Sequence, residues 1–174
     1  DDKQILPGAD GKMGTSDDTI NTDDQIIHCG PDLIFGSEDD YIDLENGSNQ
    51  RPGTDLQWNT GDEEYWTNGA DGLPGTGDDR KINPGLDGKY GTQDDHYTDI
   101  DGKEVYPGLD IIFGTSDDRR DVGNGTNINL SGGDVKTNGD DQIPGTSDDK
   151  LVNPGLDGEY GTQDDHYTDT DGKE

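Results

Sequence analysis

Pro154–Asp165 reads PGLDGEYGTQDD, and Pro84–Asp95, seventy residues earlier, reads PGLDGKYGTQDD. Glycine and aspartate dominate both phrases. Neither builds a hydrophobic core, so the phrase is kept for its backbone shape and its charge. Aligning the chain on it gives seven copies of G-x-D-x-x-x-G-[TS]-x-D-D: GADGKMGTSDD from Gly8, GPDLIFGSEDD from Gly30, GADGLPGTGDD from Gly69, GLDGKYGTQDD from Gly85, GLDIIFGTSDD from Gly108, GDDQIPGTSDD from Gly139 and GLDGEYGTQDD from Gly155. Six of the eleven positions agree in every copy.

A longer period lies above the short one. Residues 68–104 correspond to 138–174 at an offset of 70, whereas GPDLIFGSEDD matches GLDIIFGTSDD at an offset of 78. The higher unit therefore holds three motifs, with an eight-residue difference in its variable middle. This divides the chain into a partial repeat (1–26), a three-motif unit with a tryptophan-containing insertion (27–104) and a second three-motif unit (105–174). The opening DDKQILPG matches DDRKINPG from Asp78 and DDKLVNPG from Asp148, so the chain is expected to open on the end of an interrupted motif. Periodicity of this kind predicts stacked units, each too small to bury a core alone.

Composition alone reads as disorder: 24% hydrophobic residues and a formal net charge of -30. Yet the acids recur at fixed offsets from fixed glycines. Only 12 Lys and Arg face 42 Asp and Glu, so a folded form implies a counter-charge brought from outside as bound cations. The same charge excludes nucleic acid as a partner, and no apolar stretch is long enough to span a membrane. A single cysteine, Cys29, excludes an internal disulfide framework, and its neighbour His28 has no companion motif for a soft-metal site.

The 28 Gly and 8 Pro interrupt every candidate helix. The expected fold is mostly irregular and small all-β, with little or no helix. Tandem loops are joined by short strands such as Thr19-Ile20, Tyr41–Leu44, Lys150–Val152 and His166–Thr168.

Each loop carries three invariant acids, represented by Asp87, Asp94 and Asp95. Hard cations such as calcium take six to eight oxygens from carboxylates, backbone carbonyls and water, and three carboxylates in one loop supply the charge. Gly91 and its equivalents let the backbone curl, and are expected to be the least replaceable positions. The hydroxyl of Thr92 is placed to close the ring. In an extended chain Asp94 and Asp95 point to opposite sides, so they are expected to serve different ions or roles. The residue before Gly91 and before each of its equivalents is apolar or aromatic, from Met13 to Tyr160, and reads as the packing knob of its unit. A second acidic cluster, Asp99 and Asp101 with its repeat Asp169 and Asp171, has the D-x-D-G core of an EF-hand loop without its distal Glu, and its aspartates are candidate ligands for an additional ion.

These loops resemble the Asp/Gly-rich calcium-binding repeats (GxDGxxGTxDD type) of bacterial secreted and surface proteins, and more loosely thrombospondin type 3 and dockerin loops. The resemblance implies extracellular or cell-surface calcium binding that rigidifies an extended array. It implies as ligands Asp10, Asp17, Asp18; Asp32, Asp39, Asp40; Asp71, Asp78, Asp79; Asp87, Asp94, Asp95; Asp110, Asp117, Asp118; Asp141, Asp148, Asp149; and Asp157, Asp164, Asp165. Seven divalent ions would leave -16 of the formal -30.

A catalytic reading needs one distinguished carboxylate pair, whereas here 21 equivalent aspartates are spread over seven loops, so no enzyme is expected. The expected function is a structural repeat protein of a surface adhesin, sheath or self-assembling filament. The competing expectation is a calcium-dependent glycan- or partner-binding module that uses Trp58, Tyr65 and Trp66, though a small core around these rings is the simpler reading. Asn46-Gly47-Ser48 and Asn124-Gly125-Thr126 match glycosylation sequons, but Asn-Gly reads first as a turn.

Overall fold

The computed structural model describes residues 4–15, 17–22, 25–160 and 162–168. These are all-β, with no helix among the described residues. Three antiparallel sheets hold thirteen strands of two to five residues, as the glycine-punctuated sequence predicts. The chain divides into two compact units, 1–82 and 83–174. That division falls between Ile82 and Asn83, inside the longer sequence repeat.

In the first unit, β1 (Gln4–Leu6), β2 (Thr19–Thr22) and β3 (Gln25–His28) form one sheet. β4 (Ile42–Asp43), β5 (Ser48–Arg51) and β6 (Glu64–Thr67) form another. A bridge between His28 and Tyr41 links the two, with the rings of this pair stacked 4.8 Å apart. The core is small: Ile20, Ile27 and Ile42, with Phe35, Leu44 and Trp58 packed against them. Cys29 is buried, with Sγ 3.5 Å from the Thr15 carbonyl oxygen.

In the second unit, β7 (Tyr97–Thr98), β8 (Glu104–Tyr106), β9 (Arg119–Gly123), β10 (Thr126–Asn129), β11 (Val135–Thr137), β12 (Leu151–Asn153) and β13 (His166–Thr168) pair in sequence order. Every connection is thus a hairpin loop. Val105, Tyr106, Phe113 and Val152 are its buried apolar residues. Asn124 and Gly125, at φ 57° and 71°, turn β9 into β10, and residues 44–47 connect β4 to β5, so the Asn-Gly pairs of both sequons lie in strand-connecting turns.

The knob position divides. Phe35, Phe113 and Pro144 pack inward, but Met13 and Tyr160 remain 58% and 51% exposed. The rest of each interior is polar. Asn49 and Asn127 are fully buried, as are the third aspartates of six loops: Asp18, Asp40, Asp79, Asp95, Asp118 and Asp149.

Candidate metal centre

All seven sequence motifs form the same hairpin loop, and the fourth shows how it closes. The Lys89 N–H donates to Asp87 Oδ1 at 2.7 Å, making a tight Asx turn. The Leu86 and Asp87 N–H groups both donate to Asp94 Oδ2, at 2.6 and 3.0 Å, drawing the far side of the loop across. The Gly91 N–H donates to Asp95 Oδ2 at 2.6 Å. Across the copies the first aspartate lies exposed, the second half-buried or exposed, and the third buried in all but Asp165.

The Thr or Ser hydroxyl sits at the centre. Ser37 Oγ donates to Asp39 Oδ1 at 2.6 Å, and lies 2.8 Å from the Ile34 carbonyl oxygen, 3.3 Å from Asp32 Oδ1 and 3.4 Å from Asp40 Oδ1. Thr76 repeats this arrangement with Asp78, Leu73, Asp71 and Asp79. One hydroxyl proton satisfies only one acceptor at a time. Four oxygens, three of them carboxylate, are therefore gathered around a group that cannot bond them all at once.

The second and third aspartates of one loop do converge, against the expectation from an extended chain. The backbone there is a turn, closed by Asp95 N–H to the Thr92 carbonyl, and both Oδ1 atoms face Thr92 Oγ, at 2.6 and 3.4 Å. Their electrostatics differ. The Thr hydroxyl, followed by backbone N–H groups, holds Asp17, Asp78, Asp148 and Asp164 below the usual carboxylate range. Burial instead pushes Asp40, Asp79, Asp95 and Asp149 up, and Asp118 up to about 6.

A Cβ at the first glycine of the loop has no room. Built on Gly85 it falls 2.5 Å from Asp94 Cγ, and on Gly108 it falls 2.5 Å from the Asp117 carbonyl oxygen. Gly91, at φ 83°, has nothing within 4 Å of the same construction. The least replaceable glycine is therefore Gly85 and its equivalents, not Gly91 as the sequence suggested.

An eighth loop lies in the insertion. Gly53–Glu63 (GTDLQWNTGDE) joins β5 to β6 and repeats the bonding: Asp55 N–H to Asp62 Oδ2 at 3.3 Å, Gln57 N–H to Asp55 Oδ1 at 2.8 Å, and Thr60 Oγ to Asp62 Oδ1 at 2.8 Å. Asn59 takes the place of the second glycine at φ 63°, which Asn tolerates better than other side chains. Glu63 replaces the third aspartate and accepts from Thr60 and Gly61 N–H. Trp58 occupies the knob position. In the second unit residues 130–133 make a short turn instead, which accounts for the eight-residue offset. Matching by residue property, with Asn for Gly and Glu for Asp, finds this copy in the sequence.

The tryptophan cluster does not form one surface. Alternation along β6 puts Tyr65 and Trp66 on opposite faces, while Trp58 packs into the core with Ile42. The acidic pair Asp99 and Asp101 faces a cation of the chain itself: Arg120 Nη2 lies 2.7 Å from Asp99 Oδ2, and Nη1 lies 3.6 Å from Asp101 Oδ2. Asp169 and Asp171 lie outside the described residues.

Two buried networks tie loops to strands. Asn127 Nδ2, on β10, lies 3.0 Å from the Thr137 carbonyl oxygen, 2.8 Å from Asn138 Oδ1 and 3.0 Å from Asp149 Oδ2, while Arg119 donates to its Oδ1. Asn49 repeats this with Thr67, Asn68 and Asp79. Asn127→Leu is expected to cost about 3 kcal/mol in denaturant unfolding, because it strands several buried polar groups at once. A loss below about 1 kcal/mol would show that water replaces the amide.

Comparison with protein-family models, curated proteins and solved structures finds no match. Among the described residues no three His, Cys, Asp or Glu side chains are already gathered as a formed ligand set. The donor chemistry nevertheless fits a hard cation: every candidate donor is an oxygen. Asp18 Oδ1 and Asp149 Oδ1 are buried without a hydrogen-bond partner, on residues only 3% and 5% exposed.

Proposed function

We propose that this chain is a non-enzymatic, extracellular calcium-binding repeat protein, whose ions rigidify an acidic array within a surface adhesin, sheath or self-assembling filament. The observation that carries the reading is the set of six buried third aspartates. Among the described residues only Asp79 of the six has an ion pair, with Arg51 at 2.7 Å, yet burying an uncompensated carboxylate is costly. A divalent ion at each loop supplies the missing charge.

The type of oxygen gathered in each loop supports the same ion. The hydroxyls of Ser37 and Thr76 each have three carboxylate oxygens and one carbonyl oxygen within 3.4 Å, which gathers donors of the hard, anionic kind that calcium takes. The first and third aspartates and the carbonyl two residues after the first are the donors best placed to bind. The second aspartate, already holding backbone N–H groups and the hydroxyl, closes the loop and adds charge. Eight divalent ions, one per loop with the Gly53–Glu63 copy included, would leave -14 of the formal -30.

Equilibrium dialysis against radioactive calcium tests this directly. The full chain is expected to bind about eight ions, and Asp55→Asn with Glu63→Gln is expected to remove one. Absence of saturable binding at millimolar calcium would overturn the reading. Sedimentation velocity with and without calcium tests self-association: larger species that form only with the ion support a filament or sheath.

A further inference from the structure

We propose that the cleft beside Trp66 in the first unit binds a neutral, hydroxyl-rich saccharide, and that the two flanking loops form its walls. The cleft, of about 610 Å³, is lined by Glu38 and Asp39 from one loop, Thr54 and Leu56 from the Gly53–Glu63 loop, and Arg51, Glu64 and Trp66 from the strands between. That volume lies within the range of small-ligand sites.

The internal repeat supplies a comparison within one chain. At the offsets of 78 and 70, Arg51, Glu64 and Trp66 correspond to Asn129, Asp134 and Lys136, and the Gly53–Glu63 loop has no counterpart. Residues 83–104 and 153–174, by contrast, are nearly identical. The insertion thus coincides with an added wall and an indole around one cleft. A role shared by all repeats, such as ion binding, gives no reason for that concentration.

The lining chemistry selects the ligand. Arg51 lies over the Trp66 ring at 4.2 Å and is anchored by Asp79 at 2.7 Å. Trp66 Nε1–H donates to Glu64 Oε2 at 3.3 Å, and Lys81 Nζ pairs with Glu64 Oε1 at 2.7 Å. The side chains are thus braced before any ligand arrives, which lowers the ordering cost of binding. A basic peptide suits this cleft poorly, because the Arg51 guanidinium already lies over one face of the indole and repels a second cation there. An anionic glycan is opposed by Glu38, Asp39 and Glu64 and by the charge of the whole chain. A neutral sugar needs donors and acceptors side by side, since each hydroxyl is both, and an apolar surface for its C–H face. Arg51, Glu38 and Thr54 provide the first; Leu56 and the part of Trp66 that lines the cleft outside the face covered by Arg51 provide the second.

The proposal rests on the calcium reading only for the rigidity of the two walls. The test uses the full chain in millimolar calcium, with the neutral hexaoses of glucose, xylose and N-acetylglucosamine and tetralysine as probes, read by saturation-transfer NMR and tryptophan fluorescence. At least one hexaose is expected to bind. Trp66→Ala is expected to weaken it about tenfold or more, the loss typical of a removed aromatic contact. Glu38→Gln, on an exposed side chain away from the core, is expected to weaken it several-fold while leaving the far-UV spectrum and calcium stoichiometry unchanged. Binding of no hexaose, hexaose binding insensitive to both substitutions, or binding of tetralysine alone would each overturn the proposal. Calcium stoichiometry measured on the same samples separates that failure from failure of the calcium reading.

Discussion

Removing calcium from the full chain with excess EGTA is expected to abolish most of its β-structure. The far-UV spectrum should become that of a coil, and the radius of gyration should rise toward the roughly 44 Å of an unfolded chain of this length. Hydrophobic burial cannot resist this change. Among the described residues the buried apolar side chains are nine hydrophobics and a few prolines, in a chain carrying a formal charge of -30, and six buried aspartates sit among them. Ligands that bind only the folded state stabilise it by about 2.7 kcal/mol per site at a hundredfold excess over the dissociation constant. Several such sites together exceed the stability of an ordinary domain. Molar sodium chloride in place of calcium separates the two parts of this effect. Screening weakens long-range repulsion but leaves the buried Asp118 and Asp149 uncoordinated, so salt alone is expected to restore compaction without the strands. Identical spectra in EGTA and in calcium would refute the calcium reading, and full refolding in salt would show that repulsion alone held the chain open.

The all-β class and the hairpin loops were legible because they rest on local chemistry: glycine at positive φ, Asx turns and strands too short for any helix. The division of labour among the three acids was not. It depends on the turn that brings Asp95 N–H to the Thr92 carbonyl, which places two adjacent carboxylates on one side. The eighth loop escaped a search by identity because Asn59 and Glu63 preserve conformation and charge while changing the letters. Partners across strands were least visible of all. Nothing near Asp99 in sequence announces that Arg120 will neutralise it, and Asn49 and Asn127 look like ordinary polar strand residues until their amides reach Asp79 and Asp149.

Gly85→Ala and Gly91→Ala should separate sharply, although both replace an invariant glycine of the same loop. At Gly91 the added methyl meets open space, and the cost is that of holding alanine at φ 83°, about 1 to 2 kcal/mol. At Gly85 the residue is also at positive φ, 61°, and its methyl would fall on the Asp94 carboxylate that closes the loop. Relief requires Asp94 to move, which breaks its bonds with the Leu86 and Asp87 N–H groups and with the Thr92 hydroxyl. The expected cost is about 3 kcal/mol or more, together with loss of one calcium from the stoichiometry. Gly91→Ala should keep the full complement with weaker affinity at one site. Denaturant unfolding in saturating calcium, combined with equilibrium dialysis, reads both quantities. Equal losses from the two substitutions would mean that φ alone governs the loop and that the close approach to Asp94 yields by small shifts. A larger loss at Gly91 would return the controlling role to the glycine that the sequence first suggested.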